Sequence, residues 1–188
     1  MKAIKWMLSL LAVIVLAACG QQAEPEMAET AEAKPDYEAF QKQVGIIENL
    51  FAAHAAENLE GIDALLADTL QYSPPAYNGG QWVGKAEFLA GIRGYHENFD
   101  NIQWHGGIVM PDSTVGAFWS GSVFPASTAS DVPDVIRVYG TWHATHTETG
   151  KDIGVKFFSL ITLNDSGKIS QVSEYFDVNG LAVQIAEE

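Results

Sequence analysis

Hydrophobic spacing divides the chain into a front part that reads as helices and a back part that reads as strands. Residues 1–5 carry two lysines and residues 6–18 are almost unbroken apolar. These are the n-region and h-region of a secretory signal, too short to span a bilayer as a mature helix. Residues 20–34 are mostly Ala, Glu, Gln and Pro, which cannot bury enough apolar surface to offset ordering, so they read as a disordered tether. Pro35 stands where a first helical turn would begin, with Asp36 favourable beside the helix N-terminus. Phe40, Val44, Ile47, Phe51 and His54 then recur at three- and four-residue spacing, which predicts a helix with one apolar face from residue 36 to about residue 58. Leu59, Ile62, Leu65 and Leu66 mark a second, short helix ending near Asp68. Residues 69–73 read as a brief strand stopped by Pro74 and Pro75, and residues 76–82 as a turn around Asn78-Gly79-Gly80. A third helix is predicted from about residue 85 to residue 98, burying Phe88, Leu89, Ile92, Tyr95 and Phe99.

After Asp100 the period changes. Residues 102–110, 115–124, 135–147, 153–163 and 169–178 are rich in β-branched and aromatic side chains. Turn signals separate them: Pro111-Asp112-Ser113, a Ser/Thr-rich run around Ser127, Thr149-Gly150, and Asn164-Asp165-Ser166-Gly167. Helices first and consecutive hairpins after them predict an α+β domain, with helices packed on one face of a mostly antiparallel sheet.

The only cysteine changes this picture. Leu16-Ala17-Ala18-Cys19 directly follows the apolar run and resembles the lipoprotein signal of bacteria. That resemblance implies cleavage before Cys19 and acylation of its thiol and new amino group, and several acyl chains anchor firmly where one binds reversibly. The expected organisation is a signal peptide over residues 1–18, an acidic tether over residues 19–35, and one domain over residues 36–188. The expected place is the periplasmic side of the cell envelope, with Gly20 after the cysteine favouring the outer membrane by resemblance to known sorting rules. Loss of Lys2 and Lys5 with the signal leaves eight basic residues against 24 acidic ones, a field that makes nucleic acid a poor partner. With Cys19 lipidated no disulfide can form, so stability rests on a core, for which the roughly 150 remaining residues are ample.

Several local motifs accompany this order of elements: Ser73-Pro74 ending a strand, Val83-Gly84-Lys85 opening the third helix, and Gly140-Thr141-Trp142 leading to His146-Thr147. Gly167-Lys168-Ile169, Tyr175-Phe176-Asp177 and Gly180-Leu181 complete the set. Together they resemble the SnoaL-like branch of the nuclear transport factor 2-like (NTF2-like) superfamily over nearly all of residues 37–188. The resemblance implies a curved sheet wrapped around helices, a cone whose mouth is a pocket. Its members include isomerases, cyclases, hydrolases and dehydratases, so the fold does not supply the function. The positions matching the steroid-isomerase acids are Ser73 and Ser159, and its helix-one tyrosine falls near His54. A serine without a partner base does not abstract a proton near neutral pH, which argues against isomerase chemistry.

The cyclase branch implies an acid/base aspartate at Asp177. Whether Asp177 reaches the pocket depends on the last hairpin. A plain two-residue turn at Asp165-Ser166 pairs Ser159 with Val172 and sends Glu174 and Phe176 inward; a bulge at Gly167 flips the parity and sends Tyr175 and Asp177 inward instead. His54 reads either as a core histidine or as a catalytic partner. His143 and His146, three apart on a strand, face opposite ways and cannot share an ion, so no metal and no cofactor are implied. Trp104, Trp119 and Trp142 fill the core or, for Trp142, wall a flat apolar ligand, while Tyr77 and Trp82 suit the pocket rim. Three functions stay open: a pocket binding a small, largely apolar ligand through Tyr72, Trp142, His146, Ser159, Glu174 and Phe176; an enzyme using Asp177 or Glu174 with His54 or His146; and a homodimeric interaction module.

Overall fold

The computed structural model describes residues 38–116, 118–119 and 135–186. The signal and tether expectations, Cys19, and most of the strand expected over residues 115–124 lie outside the described residues.

Three helices lie in the front part of the chain: α1 (Glu38–Ala55), α2 (Leu59–Leu65) and, after strand β1 (Leu66–Ser73), α3 (Lys85–Asn98). α1 is amphipathic and buries Ile47, Leu50 and Phe51, as its spacing requires. Asn58 caps α2 by accepting from the Gly61 N–H at 2.9 Å, which satisfies a backbone donor that the helix leaves open. α3 starts where Glu87 reaches back to the Gly84 N–H, 3.1 Å, and Lys85 ties it to Asp63 at 2.8 Å and Asp68 at 3.3 Å.

The strands β2 (Phe99–Gly106), β6 (Ile136–His146), β7 (Asp152–Leu163) and β8 (Ile169–Tyr175) form, with β1, a sheet in the order β1-β8-β7-β6-β2. A short β5 (Phe118–Trp119) also pairs with β6. All pairings are antiparallel except β1 with β8, which is parallel. The strand expected over residues 102–110 is instead broken at Gly107, whose φ of 107° needs glycine. Its far end forms a separate ribbon of β3 (Ile108–Val109) and β4 (Thr114–Val115).

The core lies between the helices and the inner sheet face, with Ile47, Phe51, Ile62, Leu70 and Phe88 meeting Val138, Phe157, Ile161 and Val172. Trp104 and Trp142 stand opposite each other on β2 and β6, and both pack on Phe51, at centroid distances of 4.6 and 5.4 Å. Gly140 makes this possible, because a Cβ there would lie 2.3 Å from the Trp104 indole.

Two departures from the sequence reading shape the pocket. Ser159 pairs with Glu174, not Val172. Gly167, at φ 71°, does slip the register by one, but Ser170 is a second unpaired residue, since Leu163 faces Ile169 while Thr162 faces Gln171. Two slips restore the parity, so Glu174 and Phe176 point inward after all. The second departure follows Tyr175, where β8 stops: residues 178–186 form a fourth helix, α4 (Val178–Ala186), whereas the sequence reading carries the strand to residue 178 and assigns no element beyond it. The Gln184 amide of α4 donates to the Gly154 carbonyl (3.1 Å) and accepts from its N–H (3.0 Å), covering the stretch of β7 that β8 does not reach. Leu181 and Ile185 join Phe99, Ile102 and Ile153 in a second apolar cluster.

Candidate functional site

Helices and inner sheet face enclose a cavity of about 90 Å³, room for several waters or a small organic molecule. Phe51, Phe88, Tyr95, Trp142, Phe157 and Phe176 supply much of its wall, with Leu181 of α4 beside them. Phe51 orients the aromatic cluster, meeting Phe157 edge-on at 6.0 Å, an arrangement that suits the ring quadrupoles.

One carboxyl enters this apolar space. Glu174, carried inward by the restored register of β8, accepts a hydrogen bond from the Tyr72 hydroxyl at 2.8 Å. Tyr72 comes from β1, whose parallel pairing sets it opposite Val172, two residues from Glu174 on the same face. Tyr72 itself is held edge-on against Phe88, 4.9 Å between centroids. Burial pushes the Glu174 carboxyl up to about 7, against a smaller downward pull from the Tyr72 hydrogen bond. Burial and the nearby Glu174 raise Tyr95 to about 12, and they raise Tyr72 as well. The site therefore holds a carboxyl that is part acid and part base at neutral pH, next to two hydroxyls that stay protonated.

His54, in the last turn of α1, also lines the cavity. Its Nδ1 lies 2.9 Å from Nε2 of His96, in the last turn of α3. Burial, and then the neighbouring His96, hold His54 down to about 4, so it is neutral at physiological pH.

The other expected residues fall as follows. Trp142 and Phe176 line the cavity. Asp177, expected as an acid/base group, is exposed and accepts from the Gly180 N–H at 2.8 Å, capping α4 outside the lining. The first turn of α4 claims this side chain, which the bulge alternative of the sequence reading sends to the pocket. His146 is buried but outside the lining, its Nδ1 2.9 Å from the Thr149 hydroxyl and its ring against Phe99. Ser159 is fully buried and donates to the Ser173 carbonyl. Tyr72 reaches the site through Glu174. Tyr77 and Trp82 are exposed and away from the cavity. Among the described residues no three His, Cys, Asp or Glu side chains converge as metal ligands would. Sequence reasoning missed His96 and the carboxyl role of Tyr72. The spacing of the third helix places Tyr95 on its buried side and carries no sign that His96 meets His54.

Several solved structures share this fold. A proposed polyketide cyclase from Xanthomonas campestris pv. campestris is 15% identical at a TM-score of 0.57, covering 78% of this chain and 98% of its own. An NTF2-like protein of unknown function from Burkholderia pseudomallei is 18% identical at 0.56, covering 78% and 98%. The epoxide hydrolase/cyclase-like enzyme SalBIII, with a role in pyran ring formation in the polyether salinomycin, is 12% identical at 0.56, covering 75% and 95%. No curated protein matches the chain in sequence. The family model of the SnoaL-like domain matches residues 47–172, which run from α1 into β8 and carry Tyr72 and most of the cavity lining but stop short of Glu174, Phe176 and Leu181, and the chain belongs to that family.

Proposed function

We propose that the pocket performs general acid–base chemistry on a small, largely apolar molecule, with Glu174 as the proton-transfer group and Tyr72 holding its carboxyl in place. The observation that carries this reading is a single carboxyl set into a mostly apolar cavity, bonded to one hydroxyl and pushed up to about 7. An acid/base catalyst works best when its pKa lies near the working pH. A pocket meant only to hold an apolar ligand gains nothing from a buried ionisable group, whose desolvation is costly. The reaction class is that of a cyclase, dehydratase or hydrolase, in keeping with the polyketide-cyclase and epoxide hydrolase/cyclase-like neighbours. Asp177 has no part in it. The place of action we propose is the cell envelope, through lipid on Cys19, a reading that rests on residues 1–19 alone.

The test uses 5-nitrobenzisoxazole, a flat apolar carbon acid. A base removes its ring C–H proton, the N–O bond breaks, a nitrile forms and the electrons end on a coloured phenolate. The expected rate rises with pH to a plateau above about 7, tracking the Glu174 carboxylate. It falls about a hundred-fold or more in Glu174→Gln, the range for loss of a general base. Equal rates in wild type and Glu174→Gln would overturn the reading.

A further inference from the structure

The cavity has a second polar feature, on its helical wall. His54 and His96 close the last turns of α1 and α3, where a helix favours positive charge. Their rings stack at 5.0 Å and 26°, with Nδ1 of His54 2.9 Å from Nε2 of His96. The His54 ring is held edge-on by Trp142 at 4.9 Å, with Tyr95 at 6.4 Å. His96 is only partly buried and faces Glu57 as well as His54.

Between two neutral imidazoles only one hydrogen lies on the N···N line. If His96 supplies it, the hydrogen of His54 is on Nε2 and that atom is a donor. If His54 supplies it, its Nε2 carries a lone pair and is an acceptor. When the hydrogen crosses the 2.9 Å bond to His54 while His54 Nε2 gives up its own and His96 Nδ1 gains one, the far nitrogen of this cavity-lining residue changes from donor to acceptor and both rings stay neutral.

We propose that His54 is a second proton-transfer residue of this pocket, and that His96 is its positioning residue, setting the His54 tautomer and linking it to solvent. The proposal rests on the Glu174 reading, because it supplies the proton that a developing oxyanion needs once Glu174 has removed one from carbon. The protons balance. Water protonates His96 at Nδ1, His96 passes its Nε2 hydrogen to His54 Nδ1, and His54 passes its Nε2 hydrogen to the bound oxygen. Both rings end neutral with their hydrogens on Nδ1, and after product leaves the relay runs backward, water protonating His54 Nε2 and His96 Nδ1 returning its hydrogen to water. The proton held by Glu174 returns to water as product leaves, so none is consumed.

The experiment compares 5-nitrobenzisoxazole with unsubstituted benzisoxazole. The nitrophenolate leaves as a weak base without a proton, whereas the unsubstituted phenolate is more basic and benefits from one. The ratio of the two rates, nitro over unsubstituted, is expected to rise ten-fold or more in His54→Gln and in His96→Phe. His96→Gln, whose amide still donates to Nδ1 but cannot pass a proton on, is expected to restore part of the change. If His96→Phe does not fold, His54→Gln decides. A ratio unmoved within two-fold in the folded variants would overturn the proposal, since a merely structural role slows both probes together. Wild-type rates on both probes in Glu174→Gln would instead overturn the Glu174 reading.

Discussion

The Tyr72 hydroxyl donates to the Glu174 carboxyl at 2.8 Å, joining residues 102 positions apart across the one parallel strand pair of the sheet. The bond favours the ionised carboxyl, while burial in the aromatic cavity disfavours it, and burial prevails. This opposition makes Glu174 responsive near neutral pH.

Glu174 should make folding stability fall with alkali. Its folded-state pKa of about 7 lies above the ordinary 4.5. Its contribution is therefore fully present below 4.5 and is lost as pH rises through about 7, amounting to roughly 3 kcal/mol across that span. Between about pH 4 and 6.5 His54 works the other way, because its folded value of about 4 lies below 6.5 and its contribution disappears as pH falls. The two largely cancel there. Urea unfolding of wild type and Glu174→Gln at pH 5 and pH 8 should show the wild type losing ground to the variant at pH 8. An unchanged difference would contradict this.

Tyr72→Phe removes the donor that favours the carboxylate. The Glu174 titration should move further upward, and the inflection of the 5-nitrobenzisoxazole pH–rate profile should move with it. Stability should fall by about 1 kcal/mol at pH 5 and by about 2 kcal/mol at pH 8, where the lost bond is to a charged group. Paired pH–rate and unfolding measurements on the variant check both.

Gly140→Ala tests the aromatic wall. The added methyl meets the Trp104 indole at 2.3 Å and the His105 carbonyl at 2.6 Å. Backbone on one side leaves little room to yield, so a loss of about 1–3 kcal/mol is expected from overpacking. Thermal unfolding reads it directly, and a melting temperature equal to wild type would show that Trp104 is not confined as described.

The order and type of most elements were legible because each rests on local rules. The Phe40–His54 spacing marks α1, Pro74-Pro75 ends β1, and Asn164 to Gly167 turns the last hairpin. The site was legible only in part. The bulge at Gly167 announces itself through glycine, but the one at Ser170 has no such signal, its hydroxyl simply reaching the Thr162 carbonyl at 3.2 Å. Parity, and with it the choice between Glu174 and Asp177, therefore lay beyond the sequence. α4 escaped for a related reason. Val178 continues the β-branched run of the strand before it, and only Asp177 capping Gly180 marks the change. The meeting of His54 with His96, 42 positions apart, depends on how two helices pack.

The envelope placement stands apart from the pocket and has its own test. Cys19→Ala should release the domain from the membrane fraction and abolish incorporation of an alkyne-tagged fatty acid, because on the proposed reading acyl chains on Cys19 are the anchor. Retention of Cys19→Ala at the membrane would contradict lipidation as the tether.

Direct titration of Glu174 bears on the whole account. Carbon-13 NMR of protein labelled at the glutamate side-chain carboxyls, with Glu174→Gln to assign the resonance, should show the Glu174 carboxyl titrating near pH 7, well above its ordinary value of 4.5. A Glu174 resonance that titrates at the ordinary glutamate value would mean an open, hydrated carboxyl and would remove the basis for acid–base chemistry in this pocket.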